Sequence, residues 1–196
     1  MAYSIGHAGG AETVGLAQLF VASFVTALSG VLMPGPVLFM TVRHSASEGC
    51  KVGPLIIAGH AVVEIPLMVA VVVGLRGLLA RDVFVGVVGT AGGALLLVMS
   101  AMMLRSLPRL HLPGGAGAPA VDSPGVLGLV AAGALTSVAN PYFTLWWATV
   151  GMKFLAEAAA FTLLGYAVFY AGHISADLAW YGAVSESVHR GRRLLS

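Results

Sequence analysis

The sequence predicts an all-α protein, a polytopic bundle of transmembrane helices. Hydrophobic residues make up 58% of the chain and charged residues only 9%, whereas a soluble domain carries roughly 25% charged residues. The mean hydropathy is +0.93, and apolar runs long enough to cross a bilayer recur along the chain. Two motifs that each occur twice in the chain further predict an inverted-topology repeat, with three spans in each half. The net charge of +2 is too small to indicate a nucleic-acid partner.

Five spans are predicted from the apolar runs, and they cover approximately residues 16–42, 52–75, 83–104, 126–152 and 154–184. Residues 1–15 hold no Lys or Arg ahead of the first run, so they are interpreted as a polar tail rather than a cleaved signal peptide. Residues 105–124 are rich in Gly, Pro and Ala and are predicted to be a linker. The linker separates a first half, residues 16–104, from a second half, residues 125–196.

Basic residues predict the orientation of the bundle. The segments after the first, third and fifth spans hold seven of them: Arg43, Lys51, Arg105, Arg109, Arg190, Arg192 and Arg193. The opposite side holds three: Arg76, Arg81 and Lys153. Because basic loops stay in the cytoplasm, we expect a multi-pass protein of the cell membrane with its N-terminus outside.

Two of the predicted spans are interrupted. Pro34, Gly35 and Pro36 break the first, and Asn140 and Pro141 break the fourth. Proline removes a backbone donor, and the freed groups survive in a membrane only where protein or a wet cavity receives them. Asn before Pro is a strong helix start, and helix starts attract anions. These five residues are therefore predicted to bind the carboxylate of a substrate, the alternative being two proline kinks satisfied by neighbouring helices.

Both halves of the chain carry the same ordered motifs. Residues 28–34 share Leu, Val and Pro with residues 135–141, at an offset of 107, and the Gly-His-x-x-x-acid motif at 59–64 recurs at 172–177, at an offset of 113. A repeat of three spans must insert in opposite directions, and interrupted helices at matching places indicate a transporter's substrate site. At the same offset a sixth span would begin at residue 196, so we expect it to be missing, by truncation or because a partner replaces it.

Four ionisable residues lie inside apolar runs. Glu64 and Asp177 each follow a histidine, His60 and His173, by four residues, which places each pair on one helix face. Ionisable groups at such depth are costly and usually serve ion pathways or proton relays, so proton coupling is predicted. One alternative to proton coupling is that the four residues form structural hydrogen bonds. A second is that they bind a divalent cation such as zinc or manganese, which would make the protein a divalent-metal exporter.

The remaining polar and aromatic residues are predicted to lie outside the site. Glu48 and Glu186 are interpreted as solvated loop charge. Trp146 and Trp147 are expected at the membrane interface or in the core, with the wall of a pocket as the alternative. Cys50 is the single cysteine and excludes an intrachain disulfide.

The Pro-Gly-Pro motif at 34–36, the Asn-Pro at 140–141 and the basic loop after the first span resemble the LysE/RhtB family. The resemblance implies a six-span, LysE-type translocator, a secondary transporter that exports amino acids or related metabolites with the proton gradient. Many members carry a lysine after the Asn-Pro, where this chain has Tyr142. The charge preference of the family is therefore not transferred to this protein.

Together these features predict an exporter of amino acids or related small zwitterionic metabolites, coupled to protons. Its expected partners are that solute, protons and the lipid bilayer, with a homo-oligomer left open. No cofactor and no enzymatic activity are expected. Ser29 and Thr136 align across the repeat, but neither has a nearby base to activate it.

Overall fold

The computed structural model describes residues 8–75 and 124–195, together with isolated helical residues between 81 and 105. Every regular element in these parts of the chain is helical, in agreement with the predicted all-α class. Most of the predicted third span, nearly all of the 105–124 linker and residues 1–7 lie outside the described residues.

The helices, in chain order, are α1 (Ala8–Val31), α2 (Pro36–Glu48), α3 (Val52–Ala70), α4 (Gly125–Val138), α5 (Pro141–Trp146), α6 (Met152–Ala158) and α7 (Thr162–Leu195). Two π-helical segments, Val71–Leu75 and Trp147–Gly151, continue α3 and α5. A 3₁₀ turn at Ala159–Phe161 joins α6 to α7. Helix α1 begins at Ala8, so helical structure extends into the segment interpreted as a polar tail.

Several helices are suited to a membrane. Within the described ranges, two helical stretches are long and apolar enough to cross one. They are Val52–Gly74, with a mean hydropathy of 2.3, and Tyr142–Arg192, with 1.5, which contains a turn at Thr162. Gly15–Val31 and Pro36–Glu48 would form a third, broken span, and they meet at a bend of 78°. Gly125–Val138 is apolar but shorter. Length and composition therefore support an integral membrane protein.

Both predicted helix breaks are present. Helix α1 ends before Pro34 and α2 starts at Pro36, while α4 ends before Asn140 and α5 starts at Pro141. Asn140 caps α5, since its side chain accepts a hydrogen bond from the Tyr142 amide at 3.1 Å. Gly35 has φ −141° and ψ −176°, an extended conformation open to any residue. Backbone freedom is therefore not the reason for glycine at this position.

The predicted start of the fifth span at residue 154 is wrong, because the chain turns later. Thr162 has φ 56°, a left-handed conformation that rarely suits a β-branched residue. The rings of Phe154 and Phe169 stack with centroids 5.4 Å apart, whereas a continuous helix would separate them by ~22 Å. Helix α6 therefore completes the segment that starts at α4, and α7 is the next one.

Close glycine contacts hold the helices together in two pairs, α1 with α7 and α3 with α4. A Cβ on Gly59 of α3 would stand 1.9 Å from the Val130 carbonyl oxygen, and one on Gly172 of α7 would stand 2.1 Å from the Ser23 hydroxyl. Small residues allow such approach between membrane helices. Each of these glycines directly precedes the histidine of its motif. The pairing agrees with the repeat, whose inverted topology stays a prediction.

The C-terminal ends of α2 and α7 lie together. Glu48 is the last residue of α2, and its side chain is 7% exposed with Oε1 3.4 Å from His44 Nδ1. The prediction of solvated loop charge was therefore wrong for Glu48, and Glu186 lies on α7 rather than in a loop. Arg192 donates a hydrogen bond to the Ala46 carbonyl, which brings basic residues of the predicted cytoplasmic side to one end. The membrane orientation itself stays a prediction.

The glycine contacts make a prediction about stability. A Cβ on Gly133 of α4 would stand 2.0 Å from the Ile56 carbonyl oxygen, so Gly59→Ala and Gly133→Ala should each push α3 and α4 apart. We expect a lower melting temperature in detergent, with a loss of about 1–3 kcal/mol or more. Gly182→Ala is the matched control, since nothing lies within 4 Å of its Cβ position. Equal melting temperatures for all three variants would contradict the proposed packing.

Candidate functional site

A cavity of about 80 Å³ lies where the two helix breaks meet. Its lining includes Pro34 and Gly35 from the first break and Asn140 from the second. Asn140 Nδ2 is 3.8 Å from the point where a Cβ of Gly35 would stand. The breaks, which are 107 residues apart in the repeat, thus face one another. Pro36 and Pro141 begin α2 and α5, and Pro36 is not among the lining residues.

The four ionisable residues predicted for proton coupling line the same cavity and form one cluster, here called the tetrad: His60, Glu64, His173 and Asp177. One nitrogen or oxygen from each lies within 4.8 Å of the others. Helix α3 supplies the first pair and α7 the second. Glu64 is 1% exposed, Asp177 2% and His173 5%, so three of the four are buried.

Glu64 Oε1 is the centre of the tetrad. It accepts hydrogen bonds from His173 Nε2 at 2.8 Å and from Trp147 Nε1 at 3.2 Å. His60 Nε2 lies 3.0 Å from the same oxygen. Asp177 Oδ2 is 3.6 Å from His173 Nε2 and 3.8 Å from His60 Nε2. Each imidazole thus lies between two carboxylates, the arrangement that compensates a buried negative charge.

Ser137 orients His60. The Ser137 hydroxyl donates to the Gly133 carbonyl at 2.7 Å, so it accepts from His60 Nδ1 at 2.6 Å. The Nδ1 proton is therefore held in place, and Nε2, which faces Glu64, is the atom whose protonation can change. Ser137 is not among the residues that the sequence motifs predicted for the site, although it aligns with Gly30 in the repeat.

Three atoms of the tetrad have no hydrogen-bond partner among the described residues: Glu64 Oε2, Asp177 Oδ2 and His173 Nδ1. Most buried polar atoms in proteins are hydrogen-bonded. These atoms therefore leave capacity for a further partner, such as a proton, an ammonium group or a cation.

The sequence was also compared with models of known protein families. The family model of the LysE type translocator matches residues 28–196. The chain belongs to this family. Membership implies membrane transport of amino acids or related compounds and confirms the resemblance seen in the motifs. No curated protein sequence and no solved structure matches the chain.

Trp146 and Trp147 of this translocator were expected at the membrane interface or in the core, and both line the cavity. Trp147 is 1% exposed, as a core residue would be, yet its indole also donates to Glu64. It opens the π-helical segment Trp147–Gly151, and such segments occur frequently at functional sites. No local pattern signals this role, because the hydrogen bond joins residues 83 positions apart.

Because Trp147 donates a hydrogen bond to Glu64, we expect Trp147→Phe to lower the melting temperature more than Trp180→Phe does. Trp147→Phe removes a donor to a buried carboxylate, which should cost about 1.5–3 kcal/mol and lower the melting temperature in detergent. Trp180→Phe loses the same atoms, but Trp180 Nε1 is buried and has no hydrogen-bond partner within residues 8–75 and 124–195, so we expect no hydrogen bond to be lost. If both variants melt at the same temperature, the Trp147–Glu64 bond contributes nothing to stability.

Proposed function

We propose that the protein exports amino acids or related small zwitterionic metabolites across the cell membrane in exchange for protons. One observation carries the proposal: buried carboxylates and both helix breaks face a single cavity. A zwitterion needs an acceptor for its ammonium group and donors for its carboxylate. Both kinds of group meet in this cavity, at a place where an isolated buried charge would be expensive.

The acidic side of the cavity suits an ammonium group. Glu64 Oε2 and Asp177 Oδ2 are buried and have no hydrogen-bond partner among the described residues. The aromatic side chains of Tyr142, Phe143 and Trp146 also line the cavity. Apolar walls strengthen the attraction between the ammonium group and the carboxylates, because little water competes inside them.

Proton coupling follows from competition for the same oxygens. A proton and a substrate ammonium group both neutralise the tetrad, and binding of one favours release of the other. His60 Nε2 and His173 Nε2 lie 3.0 and 2.8 Å from Glu64 Oε1, within reach for proton transfer. If the cavity opens alternately to the two sides of the membrane, outward movement of substrate is exchanged for inward movement of protons.

The proposal predicts that transport by purified protein in liposomes depends on a proton gradient. Glu64→Gln and Asp177→Asn keep the shape of each side chain but cannot cycle a proton. We expect each to reduce gradient-driven amino-acid export by about tenfold or more, with normal insertion. Glu157→Gln is the control, since that side chain is 50% exposed. Wild-type flux that ignores the gradient, or normal coupled flux in both variants, would refute the coupling.

A second candidate is export of a divalent cation. The supporting observation is the tetrad, which offers two imidazoles and two carboxylates with donor atoms within 4.8 Å, a set that suits zinc or manganese. The amino-acid proposal has the further support of the helix breaks, which a metal ion does not need.

Metal binding and metal flux separate the two candidates. Metal export predicts that zinc chloride raises the melting temperature and that His60→Ala and His173→Ala abolish the shift. His189→Ala, on α7 outside the tetrad, should keep it. Zinc flux in liposomes without amino-acid flux would favour the cation, and absence of the zinc-dependent shift would eliminate it.

A further inference from the structure

We infer that the substrate carboxylate is bound on one side of the cavity only, by the start of α2 and the side-chain amide of Asn140, and that the start of α5 is closed to it. This inference rests on the proposed function, because it requires a substrate with a carboxylate. It replaces the symmetric expectation that both helix starts share the anion.

The start of α5 is closed by its own cap. Pro141 has no amide hydrogen. The Tyr142 amide donates to Asn140 Oδ1 at 3.1 Å, and the Phe143 amide donates to the Asn140 carbonyl at 3.0 Å. The first donors of this helix are therefore already used, and an anion would have to displace Asn140 to reach them.

The start of α2 is open. Its N-cap residue, Gly35, provides no side-chain hydrogen bond, and the Phe39 amide is satisfied by the Gly35 carbonyl at 3.1 Å. The amides of Val37 and Leu38 have no acceptor among the described residues. Val37 is 7% exposed and lines the cavity. Since α2 is 13 residues long, its start also carries the partial positive charge of the helix dipole.

Two side-chain donors line the same cavity as the start of α2. Asn140 uses its oxygen for the cap, and its Nδ2, which has no acceptor in the described part of the chain, lies 3.8 Å from the Cβ position of Gly35. Trp146 is 7% exposed, and its Nε1 is buried with no acceptor among the described residues. This nitrogen lies 3.5 Å from the Cβ position of Gly30, another lining residue. A buried donor without an acceptor indicates a missing partner, and a carboxylate provides one.

Gly30 and Gly35, which lie beside these donors, have a steric role. Gly35 adopts an extended conformation that any residue can adopt. A Cβ at Gly35 would instead point at the Asn140 amide, and a Cβ at Gly30 would contact the Trp146 indole. Glycine therefore keeps the donors uncovered. Because these donors and the tetrad line the same cavity, it offers partners for both charges of a zwitterion.

The two atoms of the Asn140 side chain allow a sharp experiment. Asn140→Asp keeps an oxygen for the cap, and Asp is as good a cap as Asn, but it replaces the free donor with a negative oxygen. Asn140→Ser also keeps a capping oxygen and lacks the amide without adding charge. Binding to purified protein would be measured by competition, with the amino acid that the wild type exports fastest and with its methyl ester, which keeps the ammonium group but has no carboxylate.

The wild type should prefer the free amino acid over the ester. We expect Asn140→Ser to weaken binding of the amino acid by about tenfold and Asn140→Asp to weaken it more, with little effect on the ester. Both variants should melt close to the wild type, whereas Asn140→Ala, which lacks the cap, should melt lower.

Two different failures are distinguishable. If the wild type exports amino acids and Asn140→Ser keeps the full preference for the free amino acid, the carboxylate site is wrong while the proposed function stands. If the wild type neither binds nor exports any amino acid, the proposed function fails and the carboxylate site fails with it.

Discussion

The burial of one carboxylate, Glu64, is the constraint on which the rest of the structure depends. At 1% exposure it would be very costly inside a membrane without compensation. Compensation comes from separate parts of the chain: His60 on the same helix, Trp147 after the second break and His173 on α7. Helices α3, α5 and α7 must therefore meet at one point, and the cavity lies beside it.

These helices can meet because glycines let α3 approach α4 closely and α7 approach α1 closely. Gly59 and Gly172 remove the side chains that would otherwise separate α3 from α4 and α7 from α1. Because each glycine directly precedes a histidine of the tetrad, the same two-residue unit packs a helix and positions an imidazole. Gly133 completes the contact from the opposite helix, where Ser137, one turn later, holds His60. Packing and site chemistry are thus carried by adjacent residues.

The two helix breaks differ in a way that matters for function. The first exposes unused amides beside a glycine, and the second satisfies its amides with Asn140. One break therefore gives an open helix start and the other a capped one. The capped start contributes a side-chain amide instead, so both breaks serve one cavity through different groups.

Much of this protein could be predicted from the sequence, for physical reasons that act locally. Composition indicates a membrane protein, because a bilayer demands about 20 apolar residues in each helical crossing. Proline and the Asn-Pro pair indicate the two breaks, because they act on their own backbone. The four-residue spacing of His60 and Glu64, and of His173 and Asp177, indicates shared helix faces. The Pro-Gly-Pro and Asn-Pro motifs were also enough to indicate the family, which the match over residues 28–196 confirms.

Only the tertiary structure decided which of these local features meet. The two His–acid pairs form one tetrad because Glu64 reaches a histidine 109 positions away, a contact that no spacing encodes. The role of the Trp147 indole was missed for the same reason, because its acceptor Glu64 is 83 positions away. A hydrogen bond between distant residues depends on how helices pack, and packing is settled by the whole set of contacts rather than by any single segment.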